Sequence, residues 1–238
     1  MDKYDYLNFH GQKIFYRLSF PDDNKKHPVI FFIHGARAKA DSLNVIINEL
    51  KDNFICLAFD HLGCGKSDGK FEDYTLRSRL DQAFFVLQYL KKVKNVDLKM
   101  ITVVGASMGA HIASRLTEKN SFSTLILRAP ACYRKDYENK KMVKDWIPWD
   151  REGKYWPWRP SLALDAIEKY NGRLLIVKSE KDEVIPDEII NNYLRIATKV
   201  KEKKLVVMQN APHRISDKPI YQKKFASLIK RFIILQYN

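Results

Sequence analysis

The sequence predicts an α/β fold with a mostly parallel sheet. Six short, nearly continuous apolar runs, rich in β-branched residues, lie at 28–34, 53–60, 100–106, 124–130, 173–179 and 204–210, as strands buried on both faces do. Longer segments with helical spacing separate them. That alternation is the pattern of parallel strands crossed by helices on their faces. At 238 residues and ~150 residues per domain the chain has room for one or two domains, and we read residues 1–238 as one.

The elements follow in order. Residues 6–10 and 13–19 flank Gly11 and Gln12 and read as an antiparallel hairpin. Helices are expected at 41–51, 75–94, 108–119, 186–198 and 217–236. The second carries Leu76, Leu80, Phe84, Leu87 and Leu90 on one stripe. Residues 132–172 break the rhythm: they hold no convincing strand, yet contain all four tryptophans, Trp146, Trp149, Trp156 and Trp158, with Tyr133, Tyr137 and Tyr155. An insertion of this length between two strands reads as a lid.

Apolar residues at 45% and charged residues at 29% are the balance of a globular protein, which excludes collagen-like, coiled-coil and wholly disordered chains. The net charge of +14 favours weak attraction to anionic surfaces or carriers. The lysine clusters are dispersed along the chain, so they read as solvated faces, and no specific nucleic-acid binding is expected. Cys56, Cys64 and Cys132 are odd in number and lack C-x-x-C spacing, so neither a disulfide framework nor a zinc site is expected. With no apolar leader at the N-terminus and no run of membrane-spanning length, the reading is cytoplasmic.

The chemistry concentrates in Gly105-Ala106-Ser107-Met108-Gly109, directly after an apolar run and directly before a helical stretch. This G-x-S-x-G pattern is a nucleophile elbow: the chain turns so sharply that side chains at the glycine positions would clash, and the serine is thrust clear of the sheet. A serine hydroxyl needs a base to take its proton and an acid to orient that base. His213 is the one histidine past the last expected strand; His10, His27, His34 and His61 precede the elbow, and His111 lies one helical turn beyond Ser107. The loop after 173–179 offers Glu180, Asp182 and Glu183. We choose Asp182, because Glu180 lies closer to the strand and Glu183 should point away from its neighbour. Two backbone N–H groups are expected to hold the oxyanion: that of Met108, after the nucleophile, and that of Ala36, in the H-G-x stretch His34-Gly35-Ala36. His34 is expected to support its loop, and Cys64, without an adjacent base, to be inert.

Together with the loop Asp60-His61-Leu62-Gly63-Cys64-Gly65-Lys66-Ser67-Asp68-Gly69, these pieces resemble the α/β-hydrolase superfamily over nearly the full length, and specifically its carboxylesterase, cinnamoyl-esterase and monoacylglycerol-lipase branch. The resemblance implies a serine hydrolase acting on small-molecule carboxylic esters, with no metal or organic cofactor. Where relatives often carry Gly or a bulky apolar residue, this chain has Ala36 and Arg37, and its lid is shorter and richer in tryptophan. Trp146, Trp149 and Trp156 are the candidates for lining an acyl or aromatic pocket, against the alternative that they only hold the lid down. A thioesterase or peptidase with the same three residues, and a non-catalytic binding protein that keeps the elbow, are the rival readings.

Overall fold

A computed structural model describes residues 1–142 and 160–234. Eight strands form one sheet in the order β1-β2-β4-β3-β5-β6-β7-β8: β1 (Asp2–Phe9), β2 (Gln12–Ser19), β3 (His27–Ile33), β4 (Ile55–Phe59), β5 (Val96–Ala106), β6 (Thr124–Arg128), β7 (Arg173–Lys181) and β8 (Glu202–Pro212). Only β2 runs against the rest; from β4 to β8 every pairing is parallel. This is the α/β-hydrolase architecture the motifs imply. The β1–β2 turn is centred one residue earlier than expected, on His10 (φ 52°) and Gly11 (φ 84°). Two successive positive φ values match the twist of the flanking strands.

Alternation along the strands divides the interior into two cores. Val29, Phe31, Ile33, Leu57, Val103, Leu125, Leu127 and Ile176 face one side, where α2 (Leu76–Leu90), α3 (Met108–Leu116), α4 (Leu162–Lys169) and α5 (Asp187–Ile196) cover them. Ile30, Phe32, Ala58, Val104, Ile126 and Val177 face the other, under α1 (Asn44–Leu50) and α6 (Pro219–Ile234). Helix α2 begins where its sequence says it should: Ser78 N–H donates to Thr75 Oγ1 at 3.0 Å and Thr75 N–H donates to Ser78 Oγ at 2.8 Å. This reciprocal cap contributes about 1 kcal/mol.

Helix α4 was not foreseen. It lies inside 132–172, and Ala163, Leu164, Ala166 and Ile167 are buried on one face, next to α3 and α5. The end of that segment is therefore part of the helical layer over the sheet. Trp146, Trp149, Trp156 and Trp158 lie outside the described residues. Among the described residues no helix is long and apolar enough to cross a membrane.

Because Leu164 is fully buried, Leu164→Ala is expected to lower the unfolding free energy by about 2–5 kcal/mol, as core truncations do. Urea denaturation checks this; a purely peripheral α4 would leave the midpoint unmoved.

Candidate active site

Strand β5 ends at Ala106 and α3 begins at Met108, so Ser107 alone makes the turn. Its backbone sits at φ 53°, ψ −120°, a conformation that costs a residue with a side chain about 1–3 kcal/mol. The flanking glycines are required by space. A Cβ at Gly105 would lie 2.5 Å from the Gly109 carbonyl oxygen, and one at Gly109 would lie 2.2 Å from that of Ile33. Gly35 is nearly as confined, its Cβ position being 3.2 Å from Ser107 Cβ. The end of β3, the next residues of its loop and the first turn of α3 thus meet backbone to backbone.

Asp182 and His213 come from the ends of β7 and β8, two and three strands along the sheet from β5. Asp182 follows β7 and closes a local turn, its Oδ1 accepting the Val184 and Ile185 N–H groups at 2.9 and 2.8 Å. His213 follows β8. Its Nδ1 is 3.0 and 3.1 Å from the two Asp182 carboxylate oxygens, and its Nε2 is 3.1 Å from Ser107 Oγ. Burial would raise the Asp182 carboxyl, but the His213 hydrogen bond, the Ile185 and Val184 amides and the imidazole charge outweigh it and hold the group below its usual range. Asp182 is therefore the ionised acceptor, Nδ1 carries the proton, and Nε2 is free to accept from the Ser107 hydroxyl. The other two candidate acids support β8's end: Glu180, within β7, accepts the Asn210 N–H at 2.7 Å and Glu183 the His213 N–H at 3.4 Å.

The expected oxyanion donors adjoin these residues in the chain: Met108 follows Ser107, and Ala36 follows Gly35, which lies against Ser107. Among the described residues, no backbone or side-chain acceptor receives the N–H of Ala36 or Met108. Behind them, His34 is buried and neutral: burial pulls it down to about 4 against its hydrogen bond to the Gly35 carbonyl. Its Nε2 accepts the His61 N–H at 3.1 Å, so Nδ1 is the protonated nitrogen that donates to the Gly35 oxygen at 2.7 Å. The loop after β4 is folded around Asp60, whose carboxylate accepts the Ala40 N–H at 2.5 Å and the Lys66 N–H at 2.7 Å. Gly65 (φ 52°) leaves room for that carboxylate, since a Cβ there would lie 2.1 Å from Asp60 Oδ2. Cys64 is buried in this wall, and burial pushes its thiol up, away from the thiolate.

Two features escaped the sequence reading. His111 is buried against Glu138 (Nε2 to Oε1, 2.9 Å), and Glu138 also pairs with Arg115 at 2.6 Å. This cluster fastens the start of the 132–172 segment to the helix that carries Met108. Arg128, the last residue of the apolar strand β6, donates to the His213 carbonyl oxygen at 2.6 Å and to Ser179 Oγ at 3.1 Å. An arginine inside a buried run was a visible signal, but its partners were not. Among the described residues, no group of three or more His, Cys, Asp or Glu side chains is arranged to hold a metal ion.

Residues 24–160, more than half of the chain, match the hydrolase family described as serine aminopeptidase, S33. The chain belongs to this α/β-hydrolase family. Est1E from Butyrivibrio proteoclasticus, solved with ferulic acid bound, is 26% identical and superimposes with a TM-score of 0.77 over 98% of this chain and 99% of its own. The thioesterase domain from the curacin biosynthetic pathway, at 17% identity and TM-score 0.69 over 97% and 99% of the two chains, shares the fold. A cis-3-alkyl-4-alkyloxetan-2-one decarboxylase of Shewanella oneidensis is 29% identical over 120 residues, which is 49% of this chain and 36% of that relative's length. This hydrolase is of the esterase branch that its motifs resemble.

The buried neutral His34 gives the site an acid limit. The unfolded chain takes up this proton near the ordinary histidine value of 6.5 and the folded chain only at about 4, so the unfolded state binds more protons in between and stability rises with pH. Across that window His34 is expected to contribute a loss of about 3 kcal/mol on acidification. Urea melts between those pH values check this, and His34→Asn is expected to flatten the slope.

Two glycines of the elbow are expected to resist the smallest change. Gly109→Ala should abolish soluble, cooperatively folding protein or shift its thermal midpoint sharply downward, because the new methyl meets backbone that has no side chain to move aside.

Proposed function

We propose that this protein is a serine hydrolase that cleaves carboxylic esters of small to medium acyl or aromatic acids through an acyl-enzyme. The observation that carries the reading is the unbroken hydrogen-bond line from Asp182 through His213 to Ser107. Ser107 Oγ attacks the acyl carbonyl carbon while His213 Nε2 takes its proton. Asp182 keeps Nδ1 protonated and balances the imidazolium that forms. The Ala36 and Met108 N–H groups receive the charge that develops on the carbonyl oxygen. His213 then returns the proton to the leaving alkoxide, and the acid part remains on Ser107 as an ester. Water deprotonated by His213 attacks that ester, and His213 returns the proton to Ser107 Oγ as the carboxylic acid leaves.

Aromatic acids are supported as substrates by the likeness to Est1E, which was solved with ferulic acid. Residues 132–172 supply the acyl cap in this reading, with Trp146, Trp149 and Trp156 as lining. A second reading, peptide-bond cleavage by the same residues, is favoured by the family's aminopeptidase description. It needs the same nucleophile but a protonated amine as leaving group, so the two separate on substrate panels.

Short-chain and hydroxycinnamoyl p-nitrophenyl or methyl esters are expected to be hydrolysed faster than aminoacyl anilides. Ser107→Ala and His213→Ala should each reduce kcat by ~10³-fold or more, and Asp182→Asn by ~10⁴-fold. A fluorophosphonate probe should label wild type stoichiometrically at Ser107. Undiminished turnover in Ser107→Ala and His213→Ala overturns the assignment; faster cleavage of the anilides decides for the peptidase.

A further inference from the structure

Arg128 stands where its charge is hard to account for on structural grounds alone. It ends β6, the strand next to the one that delivers Ser107, and is 5% exposed. In the sheet register it pairs with Ala106 on one side and with Val177 on the other. Its own carbonyl accepts the Ser107 N–H at 3.0 Å. Its guanidinium reaches across β7 to donate to Ser179 Oγ, three residues before Asp182, and on to the carbonyl oxygen of His213. Both hydrogen-bond acceptors are neutral. Burying a cation without a directly bonded anion costs several kcal/mol, and an apolar side chain of similar length would fill the same space.

We propose that Arg128 is a positioning residue for the reaction above: one buried guanidinium that ties the ends of β6, β7 and β8 together and so fixes the His213 imidazole between Ser107 and Asp182. The proposal rests on the proposed function for its meaning, but not for its geometry. Sheet pairing reaches only to Pro212, opposite Lys181; without the clamp, the one other backbone hydrogen bond of His213 itself among the described residues is from its N–H to Glu183, long at 3.4 Å. The Arg128 bond to the same residue's carbonyl is short and charge-assisted, the stronger kind. The guanidinium also faces the Asp182 carboxylate: burial pulls Arg128 down to about 10, and Asp182 acts against that.

Two substitutions separate positioning from packing. Arg128→Met keeps the length and removes both the donors and the charge; Arg128→Lys keeps the charge and reaches one acceptor. The intact chain is assayed with the best ester of the panel, and the downfield Nδ1–H proton of His213, which reports its bond to Asp182, is followed by NMR. Arg128→Met is expected to lower kcat by ~10–100-fold with KM held within ~2-fold, the loss that misorientation of a reacting group produces, and to broaden or erase the His213 signal. Arg128→Lys is expected to lose ~3–5-fold in kcat at unchanged KM and to keep the signal.

Full kcat and an intact signal in Arg128→Met overturn the proposal, as does an equal loss in both variants with the signal intact in each. If Arg128→Met does not fold by circular dichroism, Arg128→Lys decides alone: a kcat loss at constant KM supports the clamp, and unchanged kcat refutes it. Because the NMR readout needs no turnover, a wild type that neither hydrolyses esters nor takes up the fluorophosphonate removes the proposed function and leaves the clamp to be decided on the His213 signal.

Discussion

The site depends on a contact in which there is no room for a side chain. Where β3 ends, the Ile33 and His34 carbonyls lie against the first turn of α3, and a methyl group at Gly109 would stand 2.2 Å from the nearer of them. Gly105 and Gly35 are confined by the same meeting of backbones. This closeness brings Gly35, the residue before Ala36, against Ala106 and Ser107. It also holds Ser107 in a backbone conformation that an isolated serine avoids. The strain is local and modest, and the two cores on the faces of the sheet, which fully bury strand residues such as Phe31, Leu57, Val103 and Leu127, are large enough to hold it in place.

Charge is handled in two ways in this basic chain. Most of the excess cations are on the surface, where water solvates them. Among the described residues four arginines are buried instead, and each is accommodated differently. Arg17 has Asp2, Asn44 and Asn48. Arg115 has Glu138 and Glu118. Arg79 is held by softer partners, with Met142 Sδ at 3.4 Å, Cys64 Sγ at 3.7 Å and the Phe71 ring 4.6 Å away. Arg128 has a carbonyl and a hydroxyl. The first two are ordinary buried ion networks. The last two lie against Cys64, in the loop after β4, and against the His213 carbonyl, so the weakly compensated cations border the candidate site, where polarity is most often retained against its desolvation cost.

Much of the site was legible because each of its parts has a local cause. Gly105, Ser107 and Gly109 are adjacent in sequence and obey one steric rule. Asp182 makes a turn with Val184 and Ile185, its near neighbours, and that turn sets it apart from Glu180 and Glu183. The strands were legible because burial on both faces leaves an unbroken apolar run, although β5 starts four residues early, at Val96, where polar residues hide it. Helix α4 was lost among aromatic residues that drew attention to a lid, even though Leu164 and Ile167 have helical spacing. Arg128 and the Glu138 cluster depend on partners 85 and 27 residues distant, which no local pattern encodes.

Ser107 and His213 are separated by 106 positions, and the strand that presents the imidazole, β8, is at the far edge of the sheet from the hairpin that begins it. During synthesis the elbow therefore leaves the ribosome well before its base does. A nascent or truncated chain that stops short of β8 carries an ordinary, unreactive alcohol at position 107. Hydrolytic power, on the proposed reading, switches on only with the last strand, so the order of the elements along the polypeptide itself protects the cell's esters from half-made copies of the enzyme.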